Sequence, residues 1–125
     1  MVRSLISLAV AISILIGAAF YEQHLVKRDF GLFEDILTEL YEKIETEECN
    51  RDDALAVQEW WVHKKQSLHI YIPHNDIKEI DYWLAECVSL VYTENYNDAL
   101  SKVEVLLEIC EHIPDTYGLK IENIF

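Results

Sequence analysis

The pattern of apolar and polar positions divides this chain in two. From Ser4 to Tyr21 the run SLISLAVAISILIGAAFY carries no ionisable side chain before its closing tyrosine, and nine of its 18 residues are Leu, Ile, Val or Phe. At helical rise the run reaches roughly 27 Å, close to the hydrocarbon thickness of a bilayer. Each large apolar side chain contributes about −0.3 to −0.6 kcal/mol at a helix centre, so the nine sum to about −3 to −5 kcal/mol. This predicts a single membrane-spanning helix in contact with lipid over residues 4–21. Residues 1–21 then form an anchor, and residues 22–125 a separate domain.

After the anchor the apolar positions recur at three-four spacing, the period of a helix with one buried face. Phe33, Ile36, Leu37, Leu40, Tyr41 and Ile44 form the first stripe, with Gly31 as the candidate hinge between anchor and domain. Residues 45–50 lose the stripe and read as a turn, and Asn50 or Asp52 can cap a second helix over about 53–72. That helix buries Ala54, Val57, Trp61, Leu68 and Ile72 and ends at Pro73, with a short strand conceivable in HIYIP. A third helix, starting at His74 or Asn75, carries Ile77, Ile80, Leu84, Cys87, Val88 and Val91. A fourth, capped by Asn97 or Asp98, carries Ala99, Val103, Leu106, Leu107, Cys110 and Ile113 as far as Pro114. The short break near Tyr96 makes these two antiparallel, with Cys87 opposite about residue 105. Asp115, Thr116 and Gly118 turn the chain into an apolar tail, Leu119 to Phe125, that folds back on the bundle. The fold class is all-α: a transmembrane helix followed by a small antiparallel bundle of about four helices.

Charge narrows the partners. All 23 acidic residues follow the anchor, against nine of the ten Lys and Arg, so the domain carries a formal charge of −14. An acidic surface excludes nucleic acid, whose phosphates need a basic face, and disfavours lying flat on anionic lipid. The small residues Gly17, Ala18 and Ala19 resemble a signal-peptidase site, but Phe20 and Tyr21 suit an interfacial aromatic belt, and the anchor is expected to be retained. Arg3 favours an N-inside orientation while Lys27 and Arg28 oppose it; the domain is placed on the outer face of the cell membrane. Cys49, Cys87 and Cys110 are odd in number and widely spaced, which gives no disulfide framework and no metal motif.

Candidate interaction residues come from two features. Ala9, Ser13 and Gly17 recur every fourth residue and stack on one face of the anchor, where small side chains let a second helix approach closely. The adjacent pairs Trp60-Trp61 and Tyr82-Trp83 cannot both face one core; Trp61 and Trp83 fit the stripes, leaving Trp60 and Tyr82 nearer the surface. His74, Asp76 and Glu79 gather at a helix start, where Asp76 or Glu79 can hold exposed N–H groups. Glu59 with His63, and Glu108 with His112, lie one turn apart without forming a carboxylate-bridged metal motif, and read as solvated. Nucleophile elbows, phosphate loops and zinc spacings are lacking, so no enzymatic activity, catalytic residue, bound metal or cofactor is expected.

W-W-x-x-K-K at Trp60–Lys65, H-N-D-I-K-E-I-D at His74–Asp81, D-A-L at Asp98–Leu100, E-H-I-P at Glu111–Pro114 and E-N-I-F with Asn123 at the chain end together form a distinctive order. From Trp60 to Phe125 the chain resembles a family of small bacterial proteins known as a domain of unknown function. The resemblance implies an N-terminal span, a helical domain and a chain ending in E-N-I-F. It also implies spore-forming bacteria and an accessory subunit of a larger, multi-span membrane protein, and it carries over no catalytic residue. The expectation is thus a membrane-anchored interaction module that binds such a protein or itself. The alternative is an extracytoplasmic ligand- or metal-sensing bundle.

Overall fold

A computed structural model of the chain describes the backbone of residues 1–124 and the side chains of residues 1–114. Four helices, α1 (Val2–Glu45), α2 (Arg51–Leu68), α3 (His74–Tyr92) and α4 (Tyr96–Ile124), account for nearly all of it, with no strand among the described residues. The all-α architecture expected from the three-four spacing is what forms.

α1 determines the shape. It runs unbroken for 44 residues, about 66 Å at helical rise. No residue before Val26 is buried, whereas Val26, Phe30, Phe33, Leu37, Leu40 and Ile44 lie in the core. The apolar segment and the first bundle helix are therefore one rod. Gly31, expected as a hinge, sits inside continuous helix, and a Cβ built there would meet nothing within 4 Å. A lone glycine lowers helix propensity by only about 1 kcal/mol, which packing on both sides of it outweighs.

Polar contacts fix the order of the helices. Lys43 lies 3.5 Å from Asp53 and Lys64 lies 3.2 Å from Asp29, so α2 returns antiparallel along α1. Trp61 Nε1 donates to Asp81 Oδ1 at 2.6 Å, and with only residues 69–73 between the two helices α3 must run antiparallel to α2. Lys102 reaches Glu86 at 3.4 Å, and the Tyr41 hydroxyl donates to Glu104 at 3.1 Å, closing α4 between α3 and α1. The result is an up-down-up-down bundle. Its near end, towards Tyr21, holds the α2–α3 turn; its far end holds the α1–α2 and α3–α4 connections.

The two far connections close alike. Glu47 and Glu94 adopt positive φ, 59° and 61°. Glu48 N–H then donates to Lys43 O and Asn95 N–H to Leu90 O, each at 2.9 Å, capping the carbonyls that end α1 and α3. Asn50 caps α2 as expected: its side chain accepts from Asp53 N–H while Asp53 accepts from Asn50 N–H.

Several boundaries differ from the sequence reading. α2 ends at Leu68, and HIYIP is a turn in which the N–H groups of Tyr71 and Ile72 donate to Leu68 O. α3 begins behind Pro73 with no side-chain cap; Asp76 and Ile77 N–H instead donate to Pro73 O, so the capping role expected of Asp76 or Glu79 is not used. The α3–α4 hairpin turns at Thr93–Asn95, which sets Cys87 against the carbonyl of Ala99 and not near residue 105. α4 does not stop at Pro114 but continues to Ile124. The fold-back of the Leu119–Phe125 side chains, and Asn123, lie outside the described residues.

Candidate membrane anchor and interaction site

Ala9, Ser13 and Gly17 are all exposed on one face of α1. Ser13 spends its hydroxyl inside the helix, donating to Ala9 O at 2.8 Å, and space around Gly17 is open to 4 Å. Between Ala9 and Gly17 this face presents little polarity and little bulk. Exposed Leu5, Val10, Ile12 and Ile14 flank it, and Ile6 and Phe20 stand at its two ends.

The aromatic pairs separate. Trp61 is 1% exposed and stacks on Phe33, with centroids 5.0 Å apart and planes at 12°. Its neighbour Trp60 also packs on Phe33, at 5.3 Å, and is half-buried under Lys64. Tyr82 is 62% exposed, its ring edge-on to Trp83, which is itself covered by the Lys102 ammonium at 4.8 Å. Of the two residues singled out as surface aromatics, Tyr82 stands in solvent and Trp60 forms a rim of the core.

Two carboxylates join helices at the near half of the bundle, and sequence reading gave neither its partners. Asp29, buried in the core, is held by Lys64 and by Arg28 at 3.5 Å. Asp81 receives the Trp61 indole together with the Lys65 ammonium at 3.1 Å. The signal existed: Trp61 and Lys65 are four apart and share a helix face, and a buried indole N–H needs an acceptor.

His74, Asp76 and Glu79 do not act as one cluster. His74 stacks on His69 across the α2–α3 turn, at 5.8 Å. Asp76 and Glu79 instead line a shallow cleft of about 360 Å³ between α3 and α4, shared with Trp83, Glu108 and His112. Among the described residues no three His, Cys, Asp or Glu side chains gather closely enough to hold a metal ion.

Charge is sorted along the bundle. Glu45, Glu47, Glu48, Asp52, Glu94 and Asp98 crowd the far connections, while Lys27, Arg28, Lys64, Lys65 and Lys78 lie in the near half. The five histidines follow the same rule: His24 on α1 and His63 on α2 lie in the near half, His69 and His74 stack across the near turn, and His112 lines the same cleft as Asp76. The cysteines are free and buried. Burial pushes the Cys87 thiol up to about 12 and raises those of Cys110 and Cys49. The hydrogen bond to the Glu104 carboxylate raises the Tyr41 phenol.

The fold and these surfaces define an acidic four-helix bundle led by a helix long and apolar enough to cross a membrane. The chain belongs to the family described as a domain of unknown function, DUF4363, whose model matches residues 20–124. The match begins at the close of the apolar segment and takes in the bundle half of α1 and all of α2, well beyond the residues from Trp60 onward that carried the resemblance. No curated protein and no solved structure matches the chain.

Proposed function

We propose that the chain is a single-pass membrane protein whose residues 4–21 stay in the bilayer and hold the bundle against its outer face. There it serves, without catalysis, as an accessory module for a larger multi-span membrane protein or a second copy of itself. One observation carries the reading: within a single unbroken helix, the apolar half is unburied by the protein while the other half is core. Lipid is the solvent that suits such a surface. The Ala9–Ser13–Gly17 face supports close helix contact in the bilayer, and exposed Tyr82 offers an aromatic anchor outside it.

Detergent extraction of native membranes followed by affinity purification of the full chain tests this. A stoichiometric membrane-protein partner or a defined homo-oligomer is expected, and Gly17→Ile should reduce its recovery. A lone monomer across several mild detergents would overturn the accessory role.

A sensing reading draws on the cleft where Asp76 and Glu79 meet Glu108 and His112. Calorimetric titration of the full chain with divalent cations discriminates: sub-millimolar binding abolished by His112→Ala would favour sensing.

A further inference from the structure

The α2–α3 turn, His69–Pro73, is built in a way its place in the bundle does not require. Leu68 and Ile72 are buried and pin the turn to the core, whereas Ile70 between them is 77% exposed. An isoleucine so placed stabilises nothing inside the protein. The turn leaves few backbone donors unmet: His69 N–H bonds Lys65 O, Tyr71 and Ile72 N–H bond Leu68 O, and Pro73 has none to satisfy. Three donors met within the chain lower the cost of entering a poorly hydrated layer.

Its height along α1 follows from the Lys64–Asp29 pair. Continuing both helices one turn towards the near end brings Leu68 level with Leu25, and the turn level with about residues 22–25. These positions lie about 2–6 Å along the axis beyond Tyr21. The headgroup layer extends about 5–7 Å beyond the hydrocarbon on each side. Because α1 is continuous, that height is set by a rigid element and not by a linker.

We propose that the α2–α3 turn is a second membrane contact, with Ile70 inserted into the lipid interface beside Phe20 and Tyr21. The inference rests on the anchored reading above and adds the depth and orientation of the bundle to it. Lipid is the occupant because the turn stands at headgroup height and because Lys27, Arg28, Lys64 and Lys78 occupy this end while the crowded carboxylates of the connections lie at the other. An acidic protein thereby presents its less acidic end to the bilayer.

The test uses the full chain in phosphatidylcholine vesicles without any partner protein, its native thiols left in place because they are buried. Ile70→Cys, Leu8→Cys and Asp52→Cys are each labelled with an environment-sensitive fluorophore and quenched by brominated lipid, with unlabelled parent as background. Leu8 reports the apolar segment and Asp52 the far end. Strong quenching is expected at Leu8, only background quenching at Asp52, and quenching at Ile70 at least several-fold above that background. Quenching at Leu8 with Ile70 no different from Asp52 would overturn the second contact and leave the anchor standing. Loss of quenching at Leu8 would overturn the anchored reading and this inference with it.

Discussion

Replacing Trp61 by Phe isolates the contact that ties α2 to α3. A phenyl ring keeps the stacking on Phe33 and the tilted contact with Phe30, but it deletes the N–H that donates to Asp81 at 2.6 Å. A hydrogen bond to a charged group contributes about 1.5–3 kcal/mol, and the smaller ring forfeits roughly 1 kcal/mol of apolar burial. Asp81 is not stranded, because Lys65 still holds it and a third of its side chain is exposed. Together these make a loss of about 2.5–4 kcal/mol, a large share of the roughly 5–15 kcal/mol that holds a domain folded. Urea unfolding of the full chain in mild detergent, followed by far-ultraviolet circular dichroism, measures it. Combining Trp61→Phe with Asp81→Ala should recover about 1–2 kcal/mol relative to the sum of the single losses. Trp60→Phe, with no such bond, should cost under about 1.5 kcal/mol. If Trp61→Phe unfolds at the parent's urea midpoint, or the two losses simply add, the indole–carboxylate bond does not hold α2 to α3.

Gly31→Ala should raise stability by about 0.5–1 kcal/mol, since the added methyl meets open space in a continuous helix; a lower unfolding midpoint would restore the hinge. Leu106→Ala or Leu84→Ala, each removing a buried side chain, should cost about 2–5 kcal/mol in the same assay. The Cys87 thiol holds its proton to about 12 in the folded chain, against an ordinary value of 9.0. Its contribution to stability is therefore fully present below pH 9 and lost as pH rises towards 12, so unfolding midpoints should fall across that window, and less steeply in Cys87→Ala. At pH 8 the native chain should resist a thiol reagent that modifies all three cysteines after unfolding.

The helices were legible because each stripe has a single period and one core to face: every residue assigned to the α3 stripe except half-buried Val88 is buried, as are Ala99, Val103, Leu106, Cys110 and Ile113 on α4. Boundaries were less legible where local signals compete with packing. Gly31 and Pro114 both read as interruptions, yet α1 and α4 pass through them: glycine costs only about 1 kcal/mol inside a helix, and the larger proline cost of about 3 kcal/mol falls directly after buried Cys110 and Ile113, whose packing holds the turn before it. Pro73 does not end α2: the helix stops at Leu68, and the proline instead precedes the first residue of α3. The Asp29–Lys64 and Trp61–Asp81 contacts are long-range, and no local spacing announces which carboxylate a buried indole will find. The sorting of charge and histidine along the axis also escapes linear inspection. Residues 24, 63, 69, 74 and 112 share the near half only once α2 and α4 have doubled back.

The claim on which the rest depends is that the apolar half of α1 remains in lipid, continuous with the helix that carries the bundle. Alkaline carbonate washing of native membranes, with the mass of the recovered chain determined, tests it most directly. The expected result is a chain that stays in the pellet and retains residues 1–21. A chain recovered in the supernatant with its first residue near Phe20 would contradict it.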